Sequence, residues 1–134
     1  MKSNLLKISE TQIQIAILDW ARWHENQHPA LRNLIHIPNQ GKRSWRQGKE
    51  FKAMGLKKGF PDLFLFHPLD GKLDPAWSYP VAYGLAIEVK SEKGKLSLEQ
   101  LYWKKLLTDA GYWWREIRSV DEGIAFLKEY LRIK

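Results

Sequence analysis

The stretch Leu85-Ala86-Ile87-Glu88-Val89-Lys90 restricts what this chain can fold into more than any other. Side chains alternate along a strand, so Leu85, Ile87 and Val89 share one face, and Ala86, Glu88 and Lys90 share the other. A strand covered on both sides is normally apolar throughout. Here a carboxylate and an ammonium lie side by side where a helix is expected to pack. Both are costly to desolvate unless paired or bound to something. Taken alone, such an E-x-K pair reads as an exposed, solvated sheet face.

Asp62, in Gly59-Phe60-Pro61-Asp62, changes that reading. Pro61 extends the backbone before it and withholds a ladder hydrogen bond, which sets Asp62 at the mouth of a predicted strand Leu63–Phe66. If the two strands are neighbours, Asp62 and Glu88 converge with Lys90 beside them. Two carboxylates in contact repel, and a divalent cation relieves the repulsion. Hard oxygen ligands with room for water suit Mg2+ or Mn2+. Such a site fits phosphodiester hydrolysis, with Lys90 orienting the attacking water or neutralising charge that grows on phosphorus.

The remaining elements follow from caps and periodicity. Ser9 and Gln12 form a capping box, with Ile8 and Ile13 as its hydrophobic staple, and Ile13, Ala16, Ile17, Trp20 and Ala21 give a helical stripe that fades before Pro29. Leu34 to Ile37 reads as a short strand, and a short helix is expected near Lys49 to Met54, ended by Gly55. A strand from about Tyr83 to Lys90 precedes a second capping box, Ser97 and Gln100. That box opens a helix with Leu98, Leu101, Tyr102 and Leu106 on one face, stopped by Gly111. Tyr112 to Ile117 is strand-like, with one of Trp113 and Trp114 expected buried and the other more exposed. Ser119 and Glu122 cap a last helix carrying Val120, Ile124, Leu127 and Leu131. The expected class is α/β, a single mixed β-sheet flanked by helices, with a right-handed crossover in the final β-α-β unit.

With 134 residues, 44% of them apolar, the chain is expected to form one domain, residues 1–134, with a core that needs no staples. It has no cysteine, which excludes disulfide scaffolds, thiol catalysis and cysteine-bound zinc. No apolar run approaches the ~20 residues of a membrane span. The opening Met1-Lys2-Ser3-Asn4 lacks a secretory signal, so a soluble, cytoplasmic protein with no membrane partner is expected. The net charge of +7 is concentrated: Lys42, Arg43, Arg46, Lys49, Lys52, Lys57 and Lys58 stand against the single acid Glu50. With Trp45 and Phe51 set among them, these residues read as a DNA-binding segment, Trp45 being placed to stack on an unpaired base. The alternative is a solvated loop that keeps the protein soluble.

Pro61-Asp62 followed by Glu88-Val89-Lys90 resembles the signature of PD-(D/E)XK nucleases. Around it, Ser9-Glu10-Thr11-Gln12-Ile13, Pro38-Asn39-Gln40-Gly41, Lys58-Gly59-Phe60-Pro61-Asp62-Leu63, Leu96-Ser97-Leu98-Glu99-Gln100 and Trp103 resemble the VRR-NUC branch, from about residue 9 to residue 131. The resemblance implies a restriction-endonuclease-like α-β-β-β-α-β core plus a C-terminal helix. It implies metal ligation by Asp62, Glu88 and the Val89 carbonyl, with Lys90 as catalytic lysine and Glu10 as an outer ligand through water. Gln100 is implied near Lys90 or the cleaved phosphate. Standalone members of the branch are similar to Holliday-junction resolvases, which implies a homodimer acting on branched DNA in repair or recombination, in a bacterial or phage-infected cell.

Other readings stand beside these. Glu10 at a first helical position also complements the helix dipole, and Gln100 is explained by its capping box alone. Gln14, one turn after Glu10, is a minor candidate. His24-Glu25-Asn26-Gln27-His28 matches the zinc-peptidase pattern H-E-x-x-H, but Pro29 pulls His28 out of helical geometry and no third ligand follows. Three functions are thus weighed: a metal-dependent, structure-selective endonuclease, a non-catalytic basic DNA-binding module, and a peptidase. A flap- or nick-directed nuclease is the variant of the first.

Overall fold

Two reciprocal caps frame the fold. Ser9 Oγ accepts from Gln12 N and Gln12 Oε1 accepts from Ser9 N, which starts α1 (Glu10–His24). Ser97 and Gln100 repeat the arrangement at the start of α3 (Leu98–Asp109). Between them lie a 3-10 turn (Pro29–Asn33), β1 (Leu34–His36), α2 (Trp45–Ala53), β2 (Leu63–Leu65) and β3 (Leu85–Val89), followed after α3 by β4 (Trp113–Ile117) and α4 (Val120–Leu131). The computed structural model describes residues 7–38, 45–55, 57–69 and 81–134, the side chains of Trp45 and Arg46 excepted.

The expected mixed sheet is present, in the order β1-β2-β3-β4. β1 pairs antiparallel with β2, β2 antiparallel with β3, and β3 parallel with β4 across the α3 connection. Each strand is one to three residues shorter than the apolar runs suggest. Leu63, Leu65, Leu85, Ile87 and Val89 face α1 and α4, while Phe64 and Ala86 face α3 through Leu107 and Trp103. All five residues of β3 are buried, which places the two-faced strand at the centre of the molecule.

Three details of packing depart from the sequence reading. The apolar stripe of α3 points outward: Leu98 is 83% exposed and Tyr102 60%. The reason lies in the cap. Gln100 is turned toward the sheet, and the residues on its helical face, Trp103 and Leu107, do the packing. Ile8 is mostly exposed, so the staple onto buried Ile13 is loose. Trp113 and Trp114 are both half-buried, because each strand face is covered. Trp113 packs on Phe126 and Tyr130, while the Lys104 ammonium sits over Trp114.

The H-E-x-x-H pattern forms no metal pair. α1 ends at His24, whose Nδ1 donates to the Trp20 carbonyl at 2.7 Å, and His28 lies beyond the helix at the entry to the 3-10 turn.

Candidate active site

The register Leu63↔Ile87 brings the start of β2 to the end of β3. Extending it by two residues sets Pro61 opposite Val89. A proline has no N–H to offer the Val89 carbonyl there, while the Val89 N–H donates to the Asp62 side chain in place of a main-chain carbonyl: Oδ2 accepts from Val89 N at 2.8 Å. A strand residue sends its N–H and C=O to the same side. The Val89 carbonyl therefore points to the Asp62 edge, where Pro61 cannot bond it.

Glu88 projects on the α3 face and is 2% exposed. Gln100 Nε2 donates to Glu88 Oε1 at 2.8 Å, while Gln100 Oε1 remains in the cap of its own helix. Gln100 therefore serves in its cap and also holds the Glu88 carboxyl, a partner the sequence reading, which set it near Lys90 or the cleaved phosphate, did not name. Glu88 Oε2 is buried and has no hydrogen-bond donor among the described residues. Its neighbour Asp62 is acceptor facing acceptor, so a bond between them requires that one keeps a proton. Burial, the Asp62 charge and that carboxyl–carboxyl contact push Glu88 up to about 9. Burial raises Asp62 as well, against the lowering effect of the Val89 N–H. The Lys90 ammonium lowers both.

One pocket of about 320 Å³ is lined by Glu10, Lys58, Asp62, Glu88, Lys90 and Gln100, with Gly59, Ser97 and Glu99 completing its wall. The structure thus brings together Asp62, Glu88, Lys90, Glu10 and Gln100; Gln14 does not line the pocket. Glu10 has an unexpected partner, since its Oε1 accepts from Ser91 N at 3.0 Å and so ties the start of α1 to the turn after Lys90. From the other side, Arg118 donates to the Ser91 and Glu92 carbonyls and pairs with Glu116, which lies beside Glu88 in the parallel register.

Gly59 and Trp103 act on the site through packing. Gly59 has φ +83°, and a Cβ there would lie 2.6 Å from the Glu99 carbonyl carbon and 2.8 Å from Gln100 N. Only glycine lets this loop touch the first turn of α3. Trp103 Nε1 donates to the Lys58 carbonyl at 3.1 Å, and Phe60 stands edge-on to Trp103 at 5.0 Å. The loop bearing Asp62 and the helix bearing Gln100 are thereby latched together. Pro-Asp after glycine hints at the tight approach in the sequence, but nothing there discloses its partner.

The residues fit a divalent cation. Among the described residues no three His, Asp or Glu side chains gather as a metal cage. A cation here would take the two carboxylates, with the Val89 carbonyl and water as the remaining oxygen donors, a set that suits Mg2+ or Mn2+. The orphaned Glu88 oxygen is the direct sign of fit.

Of the basic segment, Lys42 and Arg43 lie outside the described residues, as do the side chains of Trp45 and Arg46. Lys49, Lys52, Lys57 and Lys58 are exposed, and Lys58 reaches the pocket rim, 3.4 Å from Glu99. No helix among the described residues is long and apolar enough to cross a membrane.

The profile of the VRR-NUC domain matches residues 6–121. A solved structure described as a VRR_NUC domain protein aligns with a TM-score of 0.73 at 21% identity, covering 96% of this chain and 92% of that one. No curated protein matches the chain.

Proposed function

The chain belongs to the VRR-NUC domain family of PD-(D/E)XK-type nucleases, and from that premise we propose that it is a Mg2+- or Mn2+-dependent endonuclease that cleaves branched DNA. The observation that supports this reading most is the buried Glu88 beside Asp62, with one oxygen lacking any donor among the described residues and Lys90 along the same edge.

In hydrolysis, water attacks phosphorus, one ester P–O bond breaks, and the leaving oxygen takes up a proton. A divalent cation, when bound, supplies Lewis acidity toward the phosphodiester. Asp62, Glu88 and the Val89 carbonyl would hold it. Val89 N–H fixes Asp62, and Gln100 fixes Glu88, so neither carboxylate must reorganise. Lys90 positions the attacking water and offsets the negative charge growing on the phosphoryl oxygens. Glu10 anchors Ser91 and thereby the backbone just after Lys90. Lys58 and the basic segment Lys42–Lys58 bind the flanking phosphates. Two copies related by a twofold axis present two centres to the symmetric strands of a four-way junction.

A panel of end-labelled four-way, flap, nicked and linear DNAs tests this, with Mg2+ or EDTA. Wild type is expected to cut branched DNA only with the cation, placing paired symmetric cuts in the four-way junction and sedimenting as a dimer. Lys90→Ala is expected to cleave roughly 10²–10³-fold more slowly while still binding. Preferential cutting of a flap or nick would redirect the substrate assignment. Binding without cleavage by wild type would favour the non-catalytic module.

A further inference from the structure

We propose that Leu98 and Tyr102 form an apolar platform on which a base left unpaired or opened at the branch point, next to the cleaved phosphodiester, stacks. They lie one helical turn apart on the outward face of α3, 83% and 60% exposed. Large apolar side chains grouped on a surface mark a binding face more often than isolated ones do. This pair borders a second cleft, about 490 Å³, whose other walls are Lys57, Lys58, Glu99 and Trp103. Lys58 and Glu99 also line the pocket of Asp62 and Glu88, so the two clefts share a wall.

The chemistry of that cleft selects its occupant. An aromatic ring beside an aliphatic one offers a surface to the face of a base, and adjacent ammonium groups offer partners to its phosphate. Bases in a duplex already stack on one another, so only an unpaired one can use Tyr102. Glu99 is the opposing charge. Its contact with Lys58 is 3.4 Å long and exposed at both ends, weak enough for a phosphate to replace it. Trp103 is not the platform, because its N–H is held by the Lys58 carbonyl and its ring by Phe60. A second copy of the chain is a poorer fit: the stripe ends with Leu101 and Leu106, far short of the roughly 20 residues a side of a stable interface.

This inference rests on the nuclease reading for its location, so its test is run separately from cleavage. Full-length protein in EDTA is titrated with DNA bearing 2-aminopurine in a single-stranded gap, and with a fully paired duplex of the same length. Wild type is expected to quench the probe and to favour the gapped DNA. Tyr102→Ala should weaken binding to gapped DNA by roughly ten- to hundredfold and leave the duplex unchanged, and Tyr102→Phe should restore it. Equal losses on both DNAs, unaltered quenching, or no DNA binding by wild type would overturn the platform. So would a shift from dimer to monomer in Tyr102→Ala, which would assign the face to a second copy. Cleavage in Mg2+ together with quenching that Tyr102→Ala leaves unaltered sinks the platform and leaves the nuclease. Tyr102-dependent stacking without any cleavage sinks the nuclease and leaves the platform.

Discussion

Glu88→Gln is expected to reduce cleavage at least 10³-fold while leaving the metal-free protein more stable than wild type. The two effects have one origin. Glu88 is buried against Asp62 with an oxygen that no donor among the described residues reaches, a placement that costs folding free energy and that a cation in the gap would offset. The amide keeps an acceptor for Gln100 and can donate its N–H to Asp62 without the proton that the wild-type carboxyl must take up to do so. In EDTA the variant should gain about 1–4 kcal/mol, read from denaturation midpoints. The gain should depend on pH. Glu88 is held up to about 9 in the folded protein, above its ordinary value of 4.5. Between those values the folded chain keeps a proton that the unfolded chain releases, so wild-type stability falls as pH rises through that window. The variant lacks this slope. Mg2+ should raise the wild-type midpoint and leave the variant unmoved. An equal response of both proteins to Mg2+ would place the cation elsewhere.

Gly59→Ala should be the most disruptive single methyl in the described residues outside the core helices. The left-handed backbone costs a non-glycine residue about 1–2 kcal/mol, and the contact with the Glu99 and Gln100 backbone adds an overpacking cost of about 1–3 kcal/mol. Relief requires α3 to move away from the loop, and that motion withdraws Gln100 from Glu88. Urea denaturation should therefore show a loss of about 2–5 kcal/mol, accompanied by a fall in cleavage that exceeds any change in DNA affinity. Gly48→Ala is the control. A Cβ at Gly48, inside α2, meets nothing within 4 Å among the described residues, so that substitution should be neutral or stabilising by up to about 1 kcal/mol. Similar behaviour of the two variants would mean that the latch between loop and helix has no role in the site.

What was legible in the sequence is what local rules control. The caps at Ser9, Ser97 and Ser119 depend on neighbours three residues away, and each forms. The alternation in β3 depends on strand period alone, and Glu88 lies on the predicted side with Ala86. Pro61 announces its missing N–H, and the Asp62 carboxylate beside it accepts from the Val89 N–H in place of a ladder carbonyl. What escaped was set by tertiary choice. The stripe on α3 satisfies a helical period equally well facing in or out, and the demand of Glu88 for Gln100 decided its rotation. The Glu10–Ser91 bond and the Arg118 fork join residues distant in sequence, so no spacing could have disclosed them. Trp103 was visible only as part of a family pattern, whereas its action, donating to the Lys58 carbonyl, is a property of the folded chain.

Anomalous diffraction from crystals grown with Mn2+ would interrogate the pocket itself. A peak between the carboxylates of residues 62 and 88, on the side of the Val89 carbonyl and absent from Glu88→Gln crystals, is the predicted result. A clean map at that position at saturating Mn2+, or a peak that persists in the variant, would contradict the assignment of these acids as the seat of hydrolysis.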